Sequence, residues 1–198
     1  MTEGGWFTTL KHPQVDHSPT VGRPVRGYRV KVGPQATTLE NGQSAGEILV
    51  CGPQVMEGYF DNEPATKAAF DGSWLRTGDI GYVKDGKVYI VDRAKEIIKV
   101  NGFQVSPSEV QDALLQHADI LDATVYGTGQ DLDEHPLACV VRAKPDLTSD
   151  DIKTYLRGRL ASHKVSRCDI VCVENIPKSA AGKVLKNELK ALVSSLRA

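Results

Sequence analysis

Apolar and polar residues change their rhythm along this chain. Up to about residue 93 they come in short runs broken by glycine and proline. Beyond it they form helical stripes separated by strand-like stretches. In the first part, Tyr28–Val32, Gly46–Cys51 and Lys87–Val91 are short, rich in β-branched residues and bounded by turn formers, so they predict strands. Val83-Lys84-Asp85-Gly86-Lys87 predicts a hairpin, because Asp-Gly accepts the positive φ angles of a tight two-residue turn. One short helix is expected near Pro64 to Phe70. Thirteen of the 18 glycines and six of the ten prolines fall in residues 1–93. Punctuation that dense predicts a small barrel or sandwich.

The second part reads differently. Ser106-Pro107-Ser108-Glu109 has the form of a capping box with proline at the first helical position. Behind it Val110, Ala113, Leu114 and His117 fall on one helical stripe. Thr148 caps a second helix, with Asp150 and Asp151 in its first turn and Ile152, Tyr155, Leu156 and Leu160 on one face. Leu185, Leu189, Leu192, Val193 and Leu196 stripe a last helix. Strand-like runs at Ala123–Tyr126, Ala138–Val141 and Ile170–Val173 lie between them. The expected class is α+β: a β-rich, barrel-like region over residues 1–93, then a compact α+β domain over residues 94–198.

Composition narrows the function. With 198 residues the chain can bury a core without staples. Its 24 Lys+Arg against 25 Asp+Glu leave a net charge of −1, which argues against binding nucleic acid or an anionic membrane by bulk charge. The longest apolar run, Leu137 to Val141, is far short of the ~20 residues of a membrane span. Met1-Thr2-Glu3-Gly4-Gly5 has neither a basic nor an apolar leader region, and the chain does not end in Ser-Lys-Leu, so the expected compartment is the cytoplasm. The four cysteines are then expected as free thiols. Cys168 and Cys172, four apart on a strand, would lie about 13 Å from each other, too far for a disulfide. No second Cys/His pair nearby completes a zinc site.

Taken singly, the candidate chemical motifs are weak. Thr77-Gly78-Asp79 is ordinary turn chemistry. Asp92-Arg93 reads as a surface ion pair. Gly182-Lys183 evokes a phosphate loop, but the spacing fails: position 177 is proline where glycine is needed, and Val184 stands where serine or threonine belongs.

Their order and spacing change the weighing. Gly22-Arg23-Pro24, Gly46-Glu47-Ile48, Gly58-Tyr59-Phe60 and Trp74-Leu75-Arg76-Thr77-Gly78-Asp79 come in turn. Val91-Asp92-Arg93-Ala94-Lys95-Glu96-Ile97-Ile98-Lys99 follows, then Ile176-Pro177-Lys178 and Gly182-Lys183. Together they resemble the adenylate-forming (AMP-forming) superfamily of acyl-CoA synthetases, luciferases and peptide-synthetase adenylation domains, and most of all its 4-coumarate–CoA ligase and luciferase-like branch. The resemblance implies roles that suit each residue type. Asp79 would accept hydrogen bonds from both ribose hydroxyls of ATP. Arg93 would add donors on ribose or phosphate, and Gln104 would contact the nucleotide. Lys183 would meet the α-phosphate and the acid's carboxylate as negative charge develops. Lys95 matches the hinge position. After rotation about it, Lys99 and the Asn101-Gly102 turn would serve the thioester step, with Gly102 letting backbone approach the pantetheine of coenzyme A. The implied reaction is acid + ATP + CoA to acyl-CoA, AMP and pyrophosphate. ATP/AMP, Mg2+ and coenzyme A are its small molecules.

The departures matter too. The superfamily's Ser/Thr/Gly-rich phosphate loop, its acyl pocket and most of its large N-terminal adenylation domain are not in these residues, so the first region reads as a truncated C-terminal piece of that domain and as a partner for the rest. Met1-Thr2-Glu3 matches the end of the family's Tyr-Gly-x-Thr-Glu motif, which makes Glu3 a magnesium candidate. Ser166 stands where relatives usually carry proline. Two other readings stay open: a peptide-synthetase-type adenylation domain fragment, and a non-enzymatic stand-alone binding module. Lys95 and the Lys-Glu-Ile-Ile-Lys run look more ligase-like than the first of these.

Overall fold

The computed structural model describes residues 1–10, 16, 18–39, 42–129 and 133–197. The chain divides into two compact units, Met1–Lys95 and Glu96–Ala198. Among the described residues no helix is long and apolar enough to cross a membrane.

The first unit is one curled, antiparallel sheet. Its strands are β1 (Thr8–Thr9), β2 (Thr20–Pro24), β3 (Arg29–Val32), β4 (Thr37–Thr38), β5 (Ser44–Cys51), β6 (Phe70–Asp71), β7 (Trp74–Lys84) and β8 (Lys87–Arg93). They lie in the order β1-β2-β8-β7-β5-β3, with β4 beside β5 and β6 beside β7. The path has two ends, so it is a half-barrel rather than a closed one. Ile48, Val50, Leu75 and Val88 form its core, with Phe7, Val30, Phe70 and Ile90 packed around them. Helix α1 (Glu63–Ala69) starts where Asn62 Oδ1 accepts the Ala65 amide and Pro64 presets the first turn. The β7–β8 hairpin turns through Asp85 (φ 51°) and Gly86 (φ 72°), the left-handed pair expected of Asp-Gly.

The second unit is a three-stranded sheet with both faces covered. Its elements are β9 (Ile98–Val100), β10 (Phe103–Val105), α2 (Pro107–Leu115), β11 (Ile120–Thr128), β12 (His135–Arg142), α3 (Ser149–Arg157), α4 (Ser162–Val165), β13 (Asp169–Cys172) and α5 (Lys186–Arg197). β12 is central, antiparallel to β11 and parallel to β13. Ser106 Oγ accepts the Glu109 amide to start α2. Thr148 and Asp151 form a full capping box at α3. The apolar run Leu137–Val141 is continuous because β12 is buried on both faces. Ala138 and Val140 enter one core with Ile98, Val100, Val105, Leu114, Ile152 and Leu156. Leu137 and Cys139 enter a second core with Tyr126, Val173, Ile176, Leu189 and Val193.

Candidate functional site

Asp79 is placed by a defect in a strand. Residues 77–79 were expected in a turn, yet they lie inside the eleven-residue β7. Glu47 pairs with Ile80 and Leu49 pairs with Arg76, so Thr77, Gly78 and Asp79 all stand opposite the single residue Ile48. Such a bulge lifts backbone out of the ladder and re-aims side chains. Side chains replace the missing ladder bonds. The buried Thr77 Oγ1 donates to the Ile48 carbonyl at 2.8 Å and accepts the Asp79 amide at 3.1 Å. The Gly78 amide donates to Glu47 Oε1 at 3.3 Å, and Glu47 Oε2 is held by Arg76 Nη1 at 2.8 Å. On the other edge Ala94 donates to the Gly78 carbonyl at 2.8 Å.

Asp79 and Arg93 face each other across β7 and β8, with Arg93 Nε 3.1 Å from Asp79 Oδ1. The Arg93 side chain is 68% exposed and that of Asp79 21%, so the pair contributes little to stability and both groups keep reach toward a ligand. Burial pushes the Asp79 carboxyl above its ordinary value, against the pull of Arg93. It lines an open cavity of about 520 Å³ whose other walls include Trp6, Phe7, Val21 and Ile90. A half-buried carboxylate at the rim of an apolar cavity can hold a pair of hydroxyls by charge-assisted hydrogen bonds. Asp92, by contrast, is buried and accepts the Arg93 amide. Glu3 sits in the same unit. Its carbonyl accepts the Met56 amide, and its Oε1 accepts the Tyr59 hydroxyl at 3.3 Å. Lys95 is exposed and is the last residue of the first unit.

The remaining candidates belong to the second unit. Lys99 and Gln104 are register partners across β9 and β10, both exposed on the face away from buried Ile98, Val100 and Val105. The connecting turn is Asn101 (φ 49°) and Gly102 (φ 84°), a second left-handed pair. Lys183 closes a short loop. Ser179 N donates to the Lys183 carbonyl at 2.8 Å, and Lys183 N donates to Ser179 Oγ at 3.2 Å. A bridge between Lys178 and Val184 clasps its base. The Lys183 side chain is exposed and makes no ion pair among the described residues. The two lysine-bearing segments are anchored in different cores. Ile98, Val100 and Val105 fix the β9–β10 ribbon in the first, and Ile176 and Val184 fix the Lys183 loop in the second, across β12. The reading of residue spacing missed the structural parts of Thr77 and Glu47. Both stand in quoted motifs, but only the β5–β7 register shows why they are needed.

Residues 1–60 match the family model for the AMP-binding enzyme, and residues 109–183 match the AMP-binding enzyme C-terminal domain. The chain belongs to the adenylate-forming enzyme superfamily. Within the superfamily it is 44% identical over 191 residues to an acyl-CoA ligase of Cochliobolus lunatus, covering 96% of this chain and 56% of that protein. It is 40% identical over 205 residues to a 4-coumarate–CoA ligase of Oryza sativa subsp. japonica, covering 98% of this chain and 36% of that one. The chain therefore spans between about a third and a little over half of the length of these relatives. ATP-bound MatB from Rhodopseudomonas palustris superposes with a TM-score of 0.82 at 28% identity, covering 100% of this chain and 40% of that structure. The AMP complex of O-succinylbenzoate coenzyme A synthetase from Bacillus subtilis superposes with a TM-score of 0.72 at 32% identity, covering 87% and 35%.

Proposed function

We propose that this chain carries the C-terminal part of an AMP-forming acid–CoA ligase. The observation that supports it most directly is the bulge of β7, which holds Asp79 beside Arg93 at the rim of the apolar cavity. In this reading the Asp79 carboxylate accepts hydrogen bonds from the ribose hydroxyls of ATP, and Arg93 and Gln104 add donors to the nucleotide. An oxygen of the acid's carboxylate attacks the α-phosphorus, the bond to pyrophosphate breaks, and the Lys183 ammonium stabilises the charge that develops there. The coenzyme A thiol then attacks the acyl carbon. The acyl–phosphate bond breaks, AMP leaves and the thiol proton passes to solvent. Lys99 supports this second step, and the Asn101-Gly102 turn offers backbone without a side chain to the pantetheine arm. Lys95 supplies the hinge between the two uses of the C-terminal domain.

Magnesium is held with few protein ligands and mostly phosphate and water. Glu3, whose Oε1 accepts the Tyr59 hydroxyl at 3.3 Å, would supply the one carboxylate that such sparse ligation takes. The ion would neutralise phosphate charge.

The test is a fusion of the amino-terminal portion of the related acyl-CoA ligase of Phoma sp., 44% identical over 192 residues, to this chain. The fusion should catalyse acid-dependent ATP–pyrophosphate exchange and form a coenzyme A thioester, and Asp79→Ala should abolish both. Exchange with transfer only to a carrier-protein thiol would replace the ligase reading with the peptide-synthetase one. The 198 residues alone should form no acyl-CoA, because they contain no Ser/Thr/Gly-rich phosphate loop.

A further inference from the structure

The ribbon that carries Lys99 has three residues in each strand, too few to hold a geometry by itself. Its buried side chains fix one face, but they leave the outer edge of β9 and the turn to be fixed by something else. The segment just before β12 does this. Glu134 Oε2 accepts the backbone amide of Lys99 at 3.0 Å, in the place where a neighbouring strand's carbonyl would sit. The carboxylate reaches β9 through a slot made by a missing side chain. A Cβ on Gly127, in β11, would lie 3.1 Å from Glu134 Oε1 and 3.3 Å from Ile98 Cγ1. The turn is held from α4's side. Arg167 Nη1 donates to Asn101 Oδ1 at 3.4 Å while its other arm pairs with the Asp133 carboxylate, and the Phe103 ring stacks on His163 with centroids 4.7 Å apart.

We propose that Glu134 is a positioning residue for Lys99, acting as a one-residue strand partner in the slot left by Gly127. The inference rests on the ligase reading for what the ribbon does, but not for how it is held. Its consequence is selective. Loss of the Glu134 contact frees the backbone that aims Lys99 and leaves the Lys183 loop, anchored in the other core, untouched.

Two measurements test it. Amide exchange on the 198-residue chain should show the Lys99 amide losing about 10- to 100-fold protection in Glu134→Ala, while the amides of β12 keep theirs. Glu134→Gln keeps an acceptor of the same length and should retain most of the protection. Unchanged Lys99 protection in Glu134→Ala overturns the anchor whatever the protein does. In the ligase fusion, Glu134→Ala should slow thioester formation from supplied acyl-adenylate by about 10-fold or more. It should change acyl-adenylate formation by less than about 2-fold, and Glu134→Gln should restore the thioester step. Equal slowing of both steps, or of neither, overturns the positioning role. A parent fusion with neither activity counts against the ligase reading, and the exchange result then decides the anchor by itself.

Discussion

Thr77 offers the sharpest test of how the candidate nucleotide carboxylate is held. Its hydroxyl is bonded to both sides of the bulge, at 2.8 Å from the Ile48 carbonyl and 3.1 Å from the Asp79 amide. Thr77→Val keeps the volume and removes both bonds, leaving the buried Ile48 carbonyl and the half-buried Asp79 amide without that partner. At about 1 kcal/mol for each bond, rising toward about 2 for each group stranded without water, the loss is about 2–4 kcal/mol. Thr77→Ser keeps the hydroxyl and deletes one methyl, at about 1 kcal/mol. Both tryptophans of the chain, Trp6 and Trp74, lie in the first unit, so their fluorescence reports its unfolding alone. With a urea slope of about 2 kcal/mol per molar, the valine variant should unfold about 1–2 M earlier than the parent, and the serine variant only about 0.5 M earlier. The valine variant should also bind AMP more weakly than the serine variant, because Asp79 loses its tether. Equal midpoints for the two variants would refute the claim that the hydroxyl, rather than the packing of residue 77, holds the bulge.

Asp79→Asn should separate stability from function. Burial holds the Asp79 carboxyl above its ordinary value in the folded chain. The protonated form therefore favours folding at low pH, and that contribution is lost as pH rises from the ordinary carboxylate value through the folded one. Relative to the parent, the asparagine variant should gain stability across this window and keep the gain at pH 7, while losing nucleotide affinity; urea midpoints from pH 3.5 to 7 read the first and equilibrium binding the second. Burial pushes the thiols of Cys139 and Cys168 up to about 11 and about 12, so alkylation at pH 8 should modify Cys51 and Cys172 in the folded chain and the other two only on unfolding, as peptide mapping would show. In the ligase fusion, Lys183→Ala should slow acyl-adenylate formation by orders of magnitude, since a preorganised charge at a developing anion is worth ~3–4 kcal/mol, and spare thioester formation; Lys99→Ala should do the reverse in single-turnover assays of each step.

What could be read from the sequence was what is local. The Asp85-Gly86 turn and the Ser106 and Thr148 caps depend on residues within a few positions of each other, and all three form, although of the box expected at Ser106–Glu109 the Ser106 half is what is seen while Glu109 Oε1 pairs with Lys164. β7 was hidden because Gly78 and Gly81 break its alternation, and only hydrogen bonding to β5 and β8 on both edges makes eleven such residues a strand. β1, β4 and β6, two residues each, exist through their partners alone. The motif residues of the candidate site were visible as residue types in order. Their supports were not: Thr77 serves a carbonyl 29 positions away, and Glu134 an amide 35 positions away.

The alternation of Leu137, Ala138, Cys139 and Val140 between two cores also bears on how such a protein changes over time. Packing variants on the α5 side reach the Lys183 loop, and those on the α2–α3 side reach the Lys99 ribbon, with a sheet standing between them as insulation. A lineage can thus drift in one core, shifting the segment anchored there, without renegotiating the other. Substitutions in the sheet are felt on both sides, since β11 and β13 also send residues into each core, and the central β12, buried on both faces, is the least free to wander.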